Sequence, residues 1–564
     1  MIKTLLIYPY FIEERLQAED ISVPPIGIYQ VAAVLREKRY DVEVYNWHNI
    51  NKTPEKIREV LGETHPDVIG FSILHANRWG GIEVARIARE LDPGVKIVFG
   101  GIGATFLWEH LLTHFPEIDY IVIGEGEYTF LNLIQYLGRE NEKCLEDIKG
   151  IAFREHGEIV KTEDAAPLRD LDQLPIPAEY FNYHHVSSNR GCAWNCAFCG
   201  SSKFWGKNVR FRSPDHFVRE SALLYDKGTT FFYFSDDTFT IQKGRVIEIC
   251  RLIIQRGLTI TWNAISRVDH VDEEILYWMR KAGCVQISYG IESGSRRIRR
   301  RLNKHIRTDQ IKTAFESTRK YGILARAYFI YGSPGETWET IQETIDLIHE
   351  IKPLGIIFYI LDVFPGTDLY AGLQEKFNIT DDIWLQEIEG IMHFEAEAEL
   401  SDDLILAFGE KLRTEFYGNI HKFIESIRLV DKKELYEKHA DFYSRLGMTF
   451  SHGDYSRIEV VREKDKIAEV LYKRALHYHP DHRAYLGLGI IRQKNREFEE
   501  SIKILVEGLT FFPHSEEINL CLGLSYMNLR EYRKALRHFL QFPHSEEANH
   551  YRLKCEMVLK ESSL

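Results

Sequence analysis

Five short apolar runs, Thr4 to Tyr8, Val42 to Tyr45, Val68 to Ser72, Val95 to Phe99 and Tyr120 to Ile123, alternate with amphipathic stretches such as Ile28 to Lys38 and Gly81 to Leu91. Runs of about five residues suit strands covered on both faces, so the alternation predicts a parallel sheet with helices on each side. Residues 1–150 therefore read as a doubly wound, Rossmann-like domain of about five strands. Such sheets bind ligands at the carboxyl ends of their strands. That rule selects Pro9 and Tyr10, then Ser72 to Leu74, then Gly100 and Gly101, then Gly124, Glu125, Gly126 and Glu127. No G-x-G-x-x-G follows the first strand, which argues against a dinucleotide there.

A chain of 564 residues exceeds what one core can serve, and about three or four domains are expected. Residues 151–183 carry a hairpin-like pattern around Gly157 and a Pro- and Asp-containing stretch from Leu168 to Pro177, which reads as a surface linker. From 184 to 375 a second βα series has strands near Val186, Thr230 to Ser235, Thr259 to Ala264, Val285 to Tyr289, Arg326 to Tyr331 and Ile356 to Val363. Six βα units fall short of the eight of a closed barrel, so a partial, open (β/α)6 barrel is predicted. Residues 376–460 read as helical, rich in aromatics and without clear strands, placed to close the barrel mouth. In 466–564, Leu488 and Gly489 recur as Leu522 and Gly523, and Phe498 as Tyr532. The PHSEE of 513–517 returns at 543–547, so the second copy has lost part of its second helix. This helix-turn-helix period resembles a tetratricopeptide (TPR) repeat, with a half-repeat ending at Pro480 and a final helix from about 546 to 560 as caps.

Acidic side chains outnumber basic ones, 84 to 71, for a formal charge of -13, which gives no support to nucleic-acid binding. The start, MIKTLLIYPYFIEER, reads as a first strand rather than a signal peptide, and no apolar run approaches the roughly 20 residues of a membrane span. A cytoplasmic setting is expected. Three of the eight Cys fall within eight positions, Cys192, Cys196 and Cys199 in RGCAWNCAFCG. In a reducing compartment such thiols indicate a metal rather than a disulfide. Zinc would need a fourth ligand, for which only His184 and His185 lie near in sequence. An iron-sulfur cubane held by three thiolates would keep one iron open, as a catalyst needs.

With Phe198, the three Cys resemble the C-x3-C-x-aromatic-C signature of radical S-adenosylmethionine (SAM) enzymes. VFGGIGATF at 98–106, DYIVIGEGEYTF at 119–130, DLDQLPIPA at 170–178, RFRSP at 210–214, SDDTFT at 235–240, YGIESGS at 289–295, YGSPGET at 331–337 and FPGT at 364–367 resemble the branch with an N-terminal cobalamin-binding domain, as does PPIG at 24–27. The resemblance spans residues 1–375. It implies a [4Fe-4S] cluster on Cys192, Cys196 and Cys199, whose open iron chelates SAM and cleaves it to a 5′-deoxyadenosyl radical. It also implies an electron donor such as flavodoxin or ferredoxin.

The resemblance places further SAM contacts at Phe198, Asp236, Asp237, Arg267, Glu292, and Gly332 to Glu336. For the Asp pair the alternative is a helix cap, and for Arg267 a surface ion pair. Cys144, Cys250, Cys284, Cys521 and Cys555 read as small core residues. Cobalamin is implied at Pro9, Tyr10, Ser72, Leu74, Gly100, Gly101, Gly124, Glu125 and Gly126. YPYFIEERL at 8–16 lacks the D-x-H-x-x-G that supplies a histidine to cobalt, so binding without a protein histidine is expected; His75 reads as a solvated loop residue. The expected activity is hydrogen abstraction from an unactivated carbon with methyl transfer from methylcobalamin. The alternatives are cyclisation or oxidation without methyl transfer, or a binding protein whose repeats are the working part. A small-molecule or peptide-bearing substrate is expected. The repeats should offer a concave face with Tyr485, Arg492, Asn519 and Tyr526 to a protein partner.

Overall fold

The computed structural model describes residues 2–12, 26–48, 53–139, 144–392 and 399–561. Pro24 and Pro25 of the PPIG phrase and residues 13–16 of the YPYFIEERL segment lie outside these. The first sheet holds β1 (Lys3–Tyr8), β2 (Asp41–Asn46), β3 (Val68–Ser72), β4 (Lys96–Gly100), β5 (Tyr120–Val122), β6 (Ile151–Glu155) and β7 (Glu158–Lys161). Its order is β2-β1-β3-β4-β5-β6-β7, parallel through β5. Separate apolar clusters cover its two faces, one with Ile7, Ile69 and Phe99 and the other with Leu6, Val68 and Val98. That division follows from side chains alternating across each strand. The hairpin about Gly157, read from sequence as the start of a surface linker, instead adds β6 and β7 antiparallel to the edge of this sheet. Ile151, Ala152 and Phe153 are buried there, and such pairing is invisible to local sequence pattern.

The second unit holds β8 (His185–Val186), β9 (Asn189–Arg190), β10 (Arg210–Phe211), β11 (Phe231–Phe234), β12 (Thr261–Ser266), β13 (Cys284–Glu292), β14 (Leu324–Tyr331) and β15 (Gly355–Ile360). Its six-stranded parallel sheet runs β8-β11-β12-β13-β14-β15 in chain order, with β8 and β15 as unjoined edges. This is the open six-strand arrangement read from the sequence. Some of the helices that follow these strands start on side-chain caps: Ser213 accepts from His216 N, Asp272 from Glu274 N and Ile275 N, and Thr367 from Tyr370 N. Each such cap fixes where the loop at a strand's carboxyl end gives way to helix.

The segment 376–460 departs from expectation in two ways. β16 (Asp362–Val363) pairs antiparallel with β17 (Ile391–Met392), a strand where none was foreseen. Trp384 and Ile391 also pack into the core of the first domain, while helix Tyr436–Ser451 covers the amino-terminal side of the barrel sheet through Phe442 and Leu446, so none of the described residues of 376–460 caps the large cleft described below. Beyond it, helices Lys464–Tyr478, His482–Lys494, Phe498–Phe511, Glu516–Asn528, Tyr532–Phe539 and Glu546–Glu561 each pack on the next. The repeat recurs in geometry. Asp481 and Ser515 cap helices 34 positions apart, Arg496 and Arg530 share a left-handed φ of 62°, and a Cβ at Gly489 or Gly523 would strike Leu505 or Phe539. The second copy's second helix is the short Tyr532–Phe539. Among the described residues no helix is long and apolar enough to cross a membrane.

Candidate active site

The cysteine loop leaves β9 at Gly191, whose φ of +104° and close approach to Asn208 O bar a side chain. Ala197 ties the loop to the barrel, donating to Leu302 O at 2.9 Å and accepting from Leu369 N at 3.0 Å. Asn195 donates to Asp368 Oδ2 at 2.8 Å and accepts from Asn303. Cys192, Cys196 and Cys199 are free and half-buried. Burial pushes all three thiols up, Cys199 to about 11, so they become ligands only when a metal replaces the proton. Among the described residues the grouping of three ligand atoms within 4.8 Å is His110, His114 and Asp382. Three thiols carried together on one braced loop fit a cluster that takes three thiolates from the protein.

Around this loop the polar residues foreseen as SAM contacts fall into two groups. Asp236 is buried and spent on structure: its Oδ1 accepts from Ser187 Oγ, Ser188 N and Asn189 N at 2.8, 2.7 and 2.9 Å, and Oδ2 from Ser188 Oγ. It braces the strand that leads into the cysteines and caps no helix. Asp237 faces the cleft, where it accepts from Ser201, and burial together with Asp236 raises its pKa. Arg267 is neither a surface ion pair nor free. Only 4% exposed, it forks onto Asp269 at 3.0 and 3.1 Å and lies 4.0 Å over the Trp194 ring of the cysteine loop.

Glu292, at a left-handed φ of 67°, is buried against Lys304 Nζ at 2.8 Å. Burial opposes the charge on Lys304, yet Glu292 and Cys196 hold it above its ordinary pKa. The pair brings a fixed cation beside the Cys196 thiol. Glu336 Oε2 accepts from Gly332 N and Ser333 N at 2.6 and 3.2 Å, so it folds back on its own loop. Phe198 packs with Ile298, Leu302 and Leu361.

A cleft of about 330 Å³ joins the two domains. Ser72, Leu74, Gly100, Gly101, Gly124, Glu125 and Gly126 line it from the first sheet, and Ser187, Asn189, Arg190, Ser235 and Asp237 from the second. Gly101, at φ 93°, lies so near the 73–75 loop that a Cβ would stand 2.7 Å from Ile73 O. Gly27 and Gly124 border the cleft with open space where side chains would otherwise stand, a slot floored by backbone that suits a broad, flat ligand. Pro9 and Tyr10 do not line it. Pro9 O accepts from Asn77, and buried Tyr10 donates to Glu83. His75 is likewise off the cleft and not solvated: it is buried edge-on to Trp384 at 4.2 Å and held neutral by burial and Arg78. Cys144 is exposed and Cys521 half-buried, unlike the buried Cys250, Cys284 and Cys555.

Sequence reading missed the latch across the cleft. Arg190 reaches Glu125 at 3.2 Å and Glu127, and Arg210 also reaches Glu125. These side chains are all less than 15% exposed. Arg190 opens RGC and Arg210 opens RFRSP, so the available signal was basic residues inside otherwise recognisable phrases, facing EGE at 125–127.

Residues 186–348 match the radical SAM superfamily and residues 21–134 match the B12-binding domain. An uncharacterised methyltransferase of Pyrococcus horikoshii is 33% identical over 383 residues, covering 66% of this chain and 83% of that protein. The anaerobic magnesium-protoporphyrin IX monomethyl ester cyclase of Rubrivivax gelatinosus is 30% identical, covering 64% and 68%. The radical SAM methyltransferase TsrM of Kitasatospora setae, solved with cobalamin and a [4Fe-4S] cluster bound, superposes with a TM-score of 0.61 at 16% identity, covering 83% and 99%. With three thiols on a braced loop at the carboxyl end of a six-stranded open barrel, and a glycine-floored cleft beside them, the chain belongs to the radical SAM superfamily and carries its B12-binding domain ahead of the barrel.

Proposed function

We propose that the chain is a cobalamin-dependent radical SAM methyltransferase acting on an unactivated carbon. The observation that carries this reading is the cleft in which the first sheet's glycine slot meets Ser235 and Asp237, the latter bonded to Ser201 two positions past Cys199. When bound, the cluster, SAM and cobalamin supply a 5′-deoxyadenosyl radical and a methyl donor. The chain's own residues position these groups and exclude water. Cys192, Cys196 and Cys199 hold the cluster. Lys304, fixed by Glu292, offsets negative charge at Cys196, and Arg267 keeps Trp194 and the loop in register. Asp237 and the backbone of Gly332 to Glu336 remain candidates for SAM itself. Arg190 and Arg210, bound to Glu125 and Glu127, hold the domains together over the cleft.

A second reading, oxidation or cyclisation without methyl transfer, is favoured by the likeness to the cyclase. We further propose a first domain that runs through β7 to residue 161, a barrel of 184–375, a repeat region of 466–564 that shares the barrel's core at its start, a flavodoxin or ferredoxin donor and a cytoplasmic, reducing setting. The final helix pairs are proposed as TPR-like repeats that engage a partner or a peptide-bearing substrate. Anaerobic incubation with SAM, cobalamin and a reductant should yield 5′-deoxyadenosine and a product heavier by one methyl group. Full 5′-deoxyadenosine formation with an oxidised or cyclised product would select the second reading, and none from cluster-replete protein would overturn both.

A further inference from the structure

A second cluster of ligand-type side chains lies away from the cleft. Helix Trp108–His114 carries His110 and His114 four positions apart, one turn of helix, so both imidazoles stand on one face. Facing them is Asp382, from the 3-10 turn Asp381–Leu385 more than 260 residues later. One ring nitrogen from each histidine and one carboxylate oxygen lie within 4.8 Å of one another, and His114 Nε2 is 3.4 Å from Asp382 Oδ1. His110 is 93% buried by its 7% exposure, and its Nε2 is buried with no hydrogen-bond partner. The set thus combines three ligand-type atoms within reach of one another with a buried imidazole nitrogen that no protein group satisfies, and a cation would answer both.

We propose that His110, His114 and Asp382 bind one divalent cation of the zinc type, with water from the solvent side completing a tetrahedron. Metal bonds of about 2.1 Å require ligand atoms roughly 3.4 Å apart, the separation His114 and Asp382 already have, and small rotations about side-chain bonds bring His110 to it from within 4.8 Å. The ion clips the 381–385 turn to the first domain. Neighbouring Asp381 is already engaged by Tyr370 and Gln374 at 2.7 and 3.0 Å, leaving Asp382 as the ligand. The same turn carries Trp384, which is buried against His75 and lies 5.0 Å from the Arg78 guanidinium. Arg78 in turn donates to Ile388 O and Glu389 O. The clip thus secures the outer end of a strap that already crosses from barrel to first sheet.

The test uses full-length holoenzyme with its cluster in place, so that the cysteines are occupied. Zinc is titrated against a chromophoric chelator, and hydrogen exchange is followed at 381–385. One zinc per chain with micromolar or tighter affinity, weakened at least 100-fold in His114→Ala and 10-fold or more in Asp382→Asn, is expected. Zinc should also slow exchange at 381–385 in the parent protein alone. Both substituted side chains are partly exposed, so the variants should keep the parent's cluster content and melting temperature. Absence of zinc uptake, unchanged affinity in well-folded His114→Ala, equal affinity for magnesium, or exchange at 381–385 indifferent to zinc would each overturn the proposal.

Discussion

Glu336 is held by two backbone N–H groups of its own loop, yet burial raises its carboxyl from 4.5 to about 7. A folded-state pKa above the unfolded one means stability fully present below about pH 4.5 and lost as pH rises through 7. The displacement corresponds to about 3 kcal/mol. Glu336→Gln should therefore flatten the fall in melting temperature between pH 4.5 and 7.5, and an unchanged pH profile would count against this account. Lys304→Met strips a buried carboxylate of its partner and should cost about 3 to 5 kcal/mol in denaturant unfolding, part of it recovered by adding Glu292→Gln. Cys196→Ala should abolish both cluster absorption and SAM cleavage, and retained cleavage would remove the basis for the site. The thiols were legible because their spacing is local. The roles of Asp236 and Glu292 were not, because Ser188 and Lys304, which satisfy them, lie 48 and 12 positions away.

Secondary elements followed the same division between local and distant information. Eleven parallel strands were foreseen near their observed places because apolar runs punctuated by amphipathic stretches are a short-range pattern. The docking of β6 and β7 on the first sheet, and of the 381–392 segment beneath it, depends on edges and surfaces that only the folded chain presents. The repeat was legible in its small-large pairing but not in its surface. Tyr485 and Asn519, expected on an open concave face, are buried at 3% and 1% exposure, and Arg492 is tied to Glu469 and Glu497. Tyr526 stacks on His538. At Gly523 a Cβ would stand 2.3 Å from the Phe539 ring. Gly523→Ala should cost about 1 to 3 kcal/mol, read as faster hydrogen exchange confined to residues 516–561. Equal exchange in both proteins would mean that the two helices can separate freely.

For the molecule as a whole, the main core does not stop where the repeats begin. Ala468, Leu471, Tyr472, Ala475, Ala484 and Leu488 belong to the same apolar cluster as the barrel strands, through helix Tyr436–Ser451. Removing 466–564 should therefore destabilise the barrel, against the independence suggested by the sequence. Removing 513–564 cuts beyond that shared core and should leave cluster content and the main melting transition near those of the full chain. A stable, cluster-replete protein lacking 466–564 would contradict this. The latch of Arg190 and Arg210 on Glu125 and Glu127 sets a different kind of limit. Parting the domains separates these partners but returns their charges to water, so the latch fixes how the two halves meet more than how tightly they hold. A broad ligand seated in the cleft would pass in or out only as the two halves part, so its exchange would be set by the movement of whole domains rather than of a surface loop.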